Sequence, residues 1–290
     1  MVQAARRPRD GARESSRAIS PEEAPAVEAL LGAVAQQYGY DFRDYDRAAL
    51  TRRIRKMLAR EELTSIPALK DRLLRSADVM RDFVELVELH DTAMFRDAPF
   101  YQALRREVVP LLRTYPFVRI WHAGCATGEE VYSLAIILHE EGIYDRCRLY
   151  ATDLSETLVN QAKRGIYPLA AMRSYTSAYQ SAGGREAFSN YYVTDHKNAI
   201  VRQTLRKNII FAQHNLISDA AFNEFHLVLA RDVAKPFNQK LRERMHDLVY
   251  RSLIPFGLLG LGRKESLRFT TFSDLYQELP SQVRLYRKRR

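Results

Sequence analysis

Three short stretches of the chain place reactive side chains where an apolar run gives way to a turn. In "HAGCATGEEVYS", Gly124 and Gly128 permit a tight turn and close backbone approach to a ligand, and Glu129 opens the helical pattern that follows. A phosphate would prefer bare amides there, so an acid at that position suits a ligand with a cationic group. GxxxG is also ordinary strand-to-helix turn chemistry, and both readings stand. In "YATDLS", Asp153 ends a second apolar run. Its carboxylate can accept hydrogen bonds from both hydroxyls of a ribose, or cap the helix of "SETLVNQAKRG". The third stretch, "FHLVLARDVAKPFNQ", runs as a buried strand into the charged pair Arg231 and Asp232 and then into Pro236.

The elements that must hold these residues are legible as periodicity. "FVRIWHAG", "CRLYATD", "NIIFAQHNL", "FHLVLARD" and "GLLGLG" are strand-like and alternate with helical stretches. That alternation predicts an α/β, doubly wound, mostly parallel Rossmann-like sheet over 91–290, with its ligand at the carboxyl ends of the strands. Polar, turn-rich sequence between Gly165 and Leu216 predicts a small β-subdomain inserted at about 176–206. Residues 20–90 read as a small all-helical domain. In it "DRAALTRRIRKMLAREEL" sets Leu50, Ile54, Met57 and Leu58 on one face and a cationic stripe of Arg53, Lys56 and Arg60 elsewhere. Residues 1–19, rich in Arg, Ser, Gly and Ala, are expected to be disordered. "NQKLRERMHDLVYRSLIP" predicts a helix with Leu241, Met245, Leu248 and Val249 on its buried face.

Composition narrows the function classes. The chain has 290 residues, 46% of them apolar, with 45 Lys and Arg against 35 Asp and Glu for a net charge of +10. That excess favours acidic partners, although much of it lies in solvated termini. No apolar run approaches the roughly 20 residues of a bilayer span, and the first residues lack the apolar stretch of a signal peptide, so a cytoplasmic protein without membrane insertion is expected. The two cysteines, Cys125 and Cys147, have neither CxxC spacing nor histidines around them, which argues against a disulfide framework or a metal site. An interleaved aromatic and basic stripe for stacking bases is missing, so no nucleic-acid partner is expected.

Taken in order, "HDTAMFRD", "WHAGCATGEEVYSLA", "YATDLSETLVNQAKRGIYP", "FAQHNL" and "FHLVLARDV" resemble the chemotaxis receptor methyltransferase family CheR, over essentially residues 21–289. The resemblance implies an S-adenosyl-L-methionine-dependent protein-glutamate O-methyltransferase that yields S-adenosyl-L-homocysteine. Its implied partner is an acidic, chemoreceptor-like helical bundle, met by Arg53, Lys56 and Arg60 of a monomeric enzyme. The resemblance also places His90, Thr92 and Arg96 beside the donor, with Arg96 as the catalytic residue. By the same carry-over, Glu129 lies at the donor's amino-acid end, Asp153 at its ribose, Asn215 and Leu216 at its adenine, and Asp232 and Val233 at the end of the third stretch.

The chemistry needs little else. A glutamate carboxylate is already ionised at neutral pH, so methyl transfer from a sulfonium requires positioning and desolvation, not a general base. An arginine at 96 could grip a carboxylate by two parallel hydrogen bonds, or pair at the surface with Asp91 or Asp97. The family pattern "RNVxIYF" is broken, however: this chain reads "RDVAKPF", with Asp232, Lys235 and Pro236 in place of Asn, an aliphatic residue and Tyr. An ionised Asp232 offers acceptors only and would repel a substrate carboxylate, while Pro236 stiffens or redirects the loop. Two alternatives therefore accompany the enzyme reading: an impaired, donor-binding adaptor, and a methyltransferase of another substrate class.

Overall fold

The computed structural model describes residues 23–88, 92–268 and 270–290. The expected disorder of 1–19 and the donor-site role of His90 lie outside the described residues. The chain divides into two compact units, one running to Val87 and including Pro236–Asn238, the other comprising Glu88–Lys235 and Gln239–Arg290.

The first unit is helical: α1 (Ala24–Tyr38), α2 (Arg47–Arg60), α3 (Ile66–Arg75) and α4 (Ala77–Val87). Local signals set the ends. α1 stops at Gly39, whose φ of 77° lets its N–H reach back to the Ala35 carbonyl. Asp46 and Ser65 cap α2 and α3 by accepting from the backbone N–H of Ala49 and Ala68. The expected face of α2 is turned inward: Leu50, Ile54 and Met57 are buried and Leu58 is half-buried, joining Leu30, Leu31, Leu69, Leu73 and Phe83 in the core. Pro236–Asn238 is part of this unit. The Pro236 carbonyl accepts the Asp46 N–H at 2.6 Å, and the rings of Phe237 and Tyr45 meet edge-on at 5.2 Å.

The second unit is built on a seven-stranded sheet. In chain order come α5 (Ala98–Ala103), a π-helical turn (Leu104–Val108), α6 (Val109–Leu112), β1 (Val118–Ala123), α7 (Glu129–Glu140), β2 (Cys147–Asp153), α8 (Glu156–Arg164) and β3 (Ile166–Pro168). They are followed by α9 (Met172–Ser181), β4 (Tyr192–Asp195), β5 (Asn198–Val201), α10 (Gln203–Arg206), β6 (Ile209–Gln213), β7 (Phe225–Ala230), α11 (Gln239–Arg251), β8 (Leu253–Leu261), β9 (Tyr276–Glu278) and β10 (Leu285–Lys288). The order across the sheet is β6-β2-β1-β7-β8-β10-β9. The five predicted strands pair in parallel, and β10 runs antiparallel to both β8 and β9. The near-unbroken burial of β1 and β7 explains their continuous apolar runs, since helices cover both faces of a parallel sheet. α7 buries every residue from Glu129 to Leu138, and α11 buries Leu241, Met245, Leu248 and Val249.

Winding proceeds from β1 outward through β2 to β6 and then returns to β7 on the other side of β1. Direction therefore reverses between β1 and β7, the switch point beyond which this topology forms a ligand crevice at the strands' carboxyl ends. The inserted sheet has the order β3-β5-β4. It begins earlier than 176, because α8 ends at left-handed Gly165 and the chain enters β3 at once, the Gly165 carbonyl accepting the Val201 N–H.

Candidate active site

The ends of β1 and β2 make one wall of the crevice. After β1 the chain turns through Gly124 (φ 71°), Ala126 (φ 46°) and Gly128 (φ 93°) into α7. Only glycine fits at 124: an added Cβ would stand 2.1 Å from Val233 Cγ1. Val233 is 3% exposed and acts as the floor of the turn. Asp153, also 3% exposed, accepts the Ala126 N–H at 2.9 Å on one oxygen and the Ser155 N–H at 3.1 Å on the other. The helix cap considered for Asp153 falls instead to Ser155, whose hydroxyl accepts the Leu158 N–H. Asp153 is therefore oriented by backbone amides.

Glu129 is 6% exposed, and its carboxylate accepts from the Thr127 hydroxyl at 2.6 Å. Burial pushes its pKa above the ordinary carboxylate range. A buried acid in that condition gains from an incoming cation. Thr127 is held in turn by the Tyr167 hydroxyl, which donates to its carbonyl at 2.8 Å. Asn215 and Leu216 lie just beyond β6, half-buried. Asn215 Oδ1 accepts the N–H groups of Ile217 and Ser218 and so shapes its own turn. That turn is tied to β2, the His214 N–H donating to the Asp153 carbonyl. Thr92 is half-buried in the segment before α5.

The opposite wall is ionic. Arg96 Nη2 lies 2.7 Å from Asp232 Oδ2 and 3.3 Å from Glu130 Oε1. Two carboxylates of the fold thus hold it, while the alternative pairing with Asp91 lies outside the described residues and Asp97 is engaged by Arg231. Arg231, with a side chain only 2% exposed, reaches Glu130 at 2.7 Å and Asp97 at 3.0 Å and lies 4.0 Å over the Phe100 ring. Lys235 Nζ stands 3.2 Å from Asp232 Oδ1. Asp97, Arg231, Glu130, Arg96, Asp232 and Lys235 thus alternate in sign along one chain of contacts, three charges of each kind. The expected repulsion from Asp232 is cancelled, since a cation sits on each of its oxygens. Beneath Glu130, His122 is 2% exposed with its Nε2 at 3.7 Å, and burial pushes its pKa down to about 4, so the imidazole is neutral.

Asp232 adopts a φ of 64°, a strained conformation for a residue with a Cβ. Glu265 sustains it by accepting the N–H groups of Asp232 and Gly262 at 2.7 Å and of Ala234 at 3.2 Å. Gly262 is needed there, because a Cβ on it would meet Asp232 Oδ1 at 2.4 Å.

Sequence reasoning missed Glu130 and Glu265, and noted Arg231 and Asp97 without giving them a role in the site. The doubled acid of "TGEEVYS" pointed to Glu130, whereas Glu265 had no local signal, being 33 residues from the loop it holds. In the helical unit the cationic stripe is uneven: Lys56 is exposed, Arg53 half-buried, and Arg60 pairs with Asp82. Among the described residues no cluster could hold a metal ion, and no helix is long and apolar enough to cross a membrane.

Comparison with known proteins bears on this site. Residues 90–284 match the family "CheR methyltransferase, SAM binding domain", and residues 25–87 match "CheR methyltransferase, all-alpha domain". The chain is 41% identical to a Pseudomonas putida protein named "Putative methyltransferase Cher3", over 90% of this chain and 96% of that one. It is 24% identical to the "Chemotaxis protein methyltransferase" of Listeria monocytogenes, over 81% and 87%. It is 27% identical to "Chemotaxis protein methyltransferase 1" of Pseudomonas aeruginosa, over 78% and 83%.

Proposed function

The chain belongs to the CheR methyltransferase family, an S-adenosylmethionine-dependent methyltransferase, and from that premise we propose that it methylates glutamate carboxylates of an acidic, chemoreceptor-like protein. The observation that carries this reading is the neutralised rim. Asp232 would oppose a carboxylate substrate if it were bare, but Arg96 and Lys235 occupy both of its oxygens.

The residues at the strand ends fit the donor's chemistry. Asp153 is a buried, pre-oriented acceptor suited to the two ribose hydroxyls, and Glu129 is a buried acid whose charged form an ammonium would stabilise. The turn containing Asn215 and Leu216 borders the adenine, and Thr92 the donor's reactive end. When bound, S-adenosylmethionine supplies a sulfonium-activated methyl group. The protein then has three tasks: to exclude water, to hold the acceptor carboxylate in line with the methyl group, and to keep that carboxylate ionised. Arg96 serves the third directly as a fixed cation, and the second by steadying Asp232 and the rim around it. Glu130 and Asp232 hold its guanidinium in place, so little rotamer freedom is lost when the substrate arrives. No residue needs to take a proton, and His122, buried and neutral, is not called on.

Lys56, with Arg53 and Arg60, forms the surface on which an acidic helical bundle would dock. The test is transfer of tritium from labelled S-adenosylmethionine to acidic receptor fragments. Base-labile label on glutamate supports the reading, and donor binding with no label on any acidic fragment overturns it in favour of an adaptor.

A further inference from the structure

Of the seven side chains from Arg231 to Phe237, Arg231, Val233, Ala234, Pro236 and Phe237 are buried and Asp232 is half-buried; Lys235 alone is exposed. The loop that closes the acceptor wall therefore offers one group to anything that approaches from solvent, and that group is a cation. We infer that Lys235 is the specificity-determining residue of this enzyme, its ammonium receiving the free carboxylate of the acceptor glutamate. The inference rests on the glutamate-methylating reading above.

Three observations support it. First, Lys235 ends the alternating chain that runs from Asp97 through Arg231, Glu130, Arg96 and Asp232. Every other charge in that chain has an opposite neighbour on both sides, or lies at its inner end against buried Arg231. A carboxylate beside Lys235 continues the alternation, whereas one at Arg96 would compete with Glu130 and Asp232 for the same Nη2. Second, the ammonium has capacity to spare. Lysine carries three N–H donors, and the contact with Asp232 Oδ1 at 3.2 Å takes one of them. That contact also tethers the ammonium to the Asp232 carboxylate. Third, neighbouring Pro236 has no N–H and is buried with its carbonyl bound to the Asp46 N–H, so the next residue offers no hydroxyl or amide donor to the acceptor.

The charge balance of the reaction fits a lysine in this position. An oxygen lone pair of the carboxylate forms the new O–CH3 bond, the S–CH3 bond breaks with its electrons returning to sulfur, and no proton moves. The acceptor thereby loses its negative charge. Lys235 holds the substrate as an ion pair and keeps no such hold on the ester, which favours departure of product over substrate.

The test uses the full-length enzyme with an acidic receptor fragment, and Lys235→Gln and Lys235→Arg variants, each alone and with Asp232→Asn. Lys235→Gln is expected to raise KM for the fragment about tenfold, the scale of one charge-assisted contact. It should leave kcat within about threefold and calorimetric affinity for S-adenosylhomocysteine unchanged, while Lys235→Arg recovers most of the loss. Binding of fragments whose acceptor glutamate is replaced by glutamine gives a readout that needs no turnover. The parent enzyme should prefer the glutamate form about tenfold, and Lys235→Gln should abolish the preference. The same KM penalty in the Asp232→Asn background supports a direct contact. A penalty that vanishes there shows that Lys235 only neutralises Asp232, and overturns the inference. Unchanged KM with active transfer also overturns it, leaving the glutamate-methylating reading intact; absence of transfer to any acidic fragment by the parent enzyme sinks both.

Discussion

The two walls of the crevice use charge in opposite ways. On the wall proposed for the donor, Asp153 and Glu129 are acids oriented by neutral groups: backbone N–H donors for one, a threonine hydroxyl for the other. Both are buried, and burial raises the pKa of Glu129. On the acceptor wall, six charges satisfy one another in alternation, and the one facing solvent is positive. The difference teaches that the departure from family pattern in "RDVAKPF" is not a scatter of losses. Asp232 and Lys235 are partners at 3.2 Å, and Arg96 completes the set at 2.7 Å.

The comparison can be broken at several points. The largest effect is expected at the seam between the walls, where Gly124→Ala sets a Cβ against Val233 at 2.1 Å with φ at 71°. Left-handed strain and overpacking together should cost about 2–6 kcal/mol, and donor affinity should drop beyond calorimetric detection. Next, Glu130→Gln removes the carboxylate shared by Arg231 and Arg96. Breaking a buried pair of this kind should destabilise by about 3–5 kcal/mol, read as a lower urea midpoint at unchanged slope. Arg96→Ala separates chemistry from stability. Asp232 keeps Lys235 and Glu130 keeps Arg231, so unfolding should change little while transfer falls about 100-fold through lost positioning.

Glu129 tests the donor wall by pH. Its folded pKa is raised above the ordinary 4.5, so its contribution to stability is fully present below that pH and is lost as pH rises through the folded value. Glu129→Gln should therefore stabilise the apo protein at neutral pH, read as a higher urea midpoint, yet weaken S-adenosylhomocysteine binding. The smallest effect is expected far from both walls. Lys56→Glu should raise KM for an acidic fragment by about two- to threefold, and by less as salt is added.

Legibility from sequence followed the range of the interactions. The five parallel strands, the buried faces of α2 and α11, and the turn at Gly124 and Gly128 were readable because periodicity and turn chemistry are local. The positions of Asp153 and Glu129 were readable because the apolar runs before them mark where β2 ends and where α7 follows β1. The acceptor wall was not, since its contacts join residues 34, 101 and 136 positions apart. "RDVAKPF" looked like damage when each residue was weighed alone. Asp232 looked repulsive because nothing local announces that Arg96 lies across from it, and Glu265, which holds the loop's backbone, is 33 positions away.

The central claim is that this rim has been rebuilt around a charge pair and still supports transfer. Its most direct test is the rate of base-labile methyl transfer by a chain returned to the family pattern with Asp232→Asn, Lys235→Ile and Pro236→Tyr. The account predicts that kcat/KM for an acidic receptor fragment falls about tenfold below that of the parent chain, the worth of one charge-assisted contact. A gain of tenfold or more on restoring the pattern would contradict it.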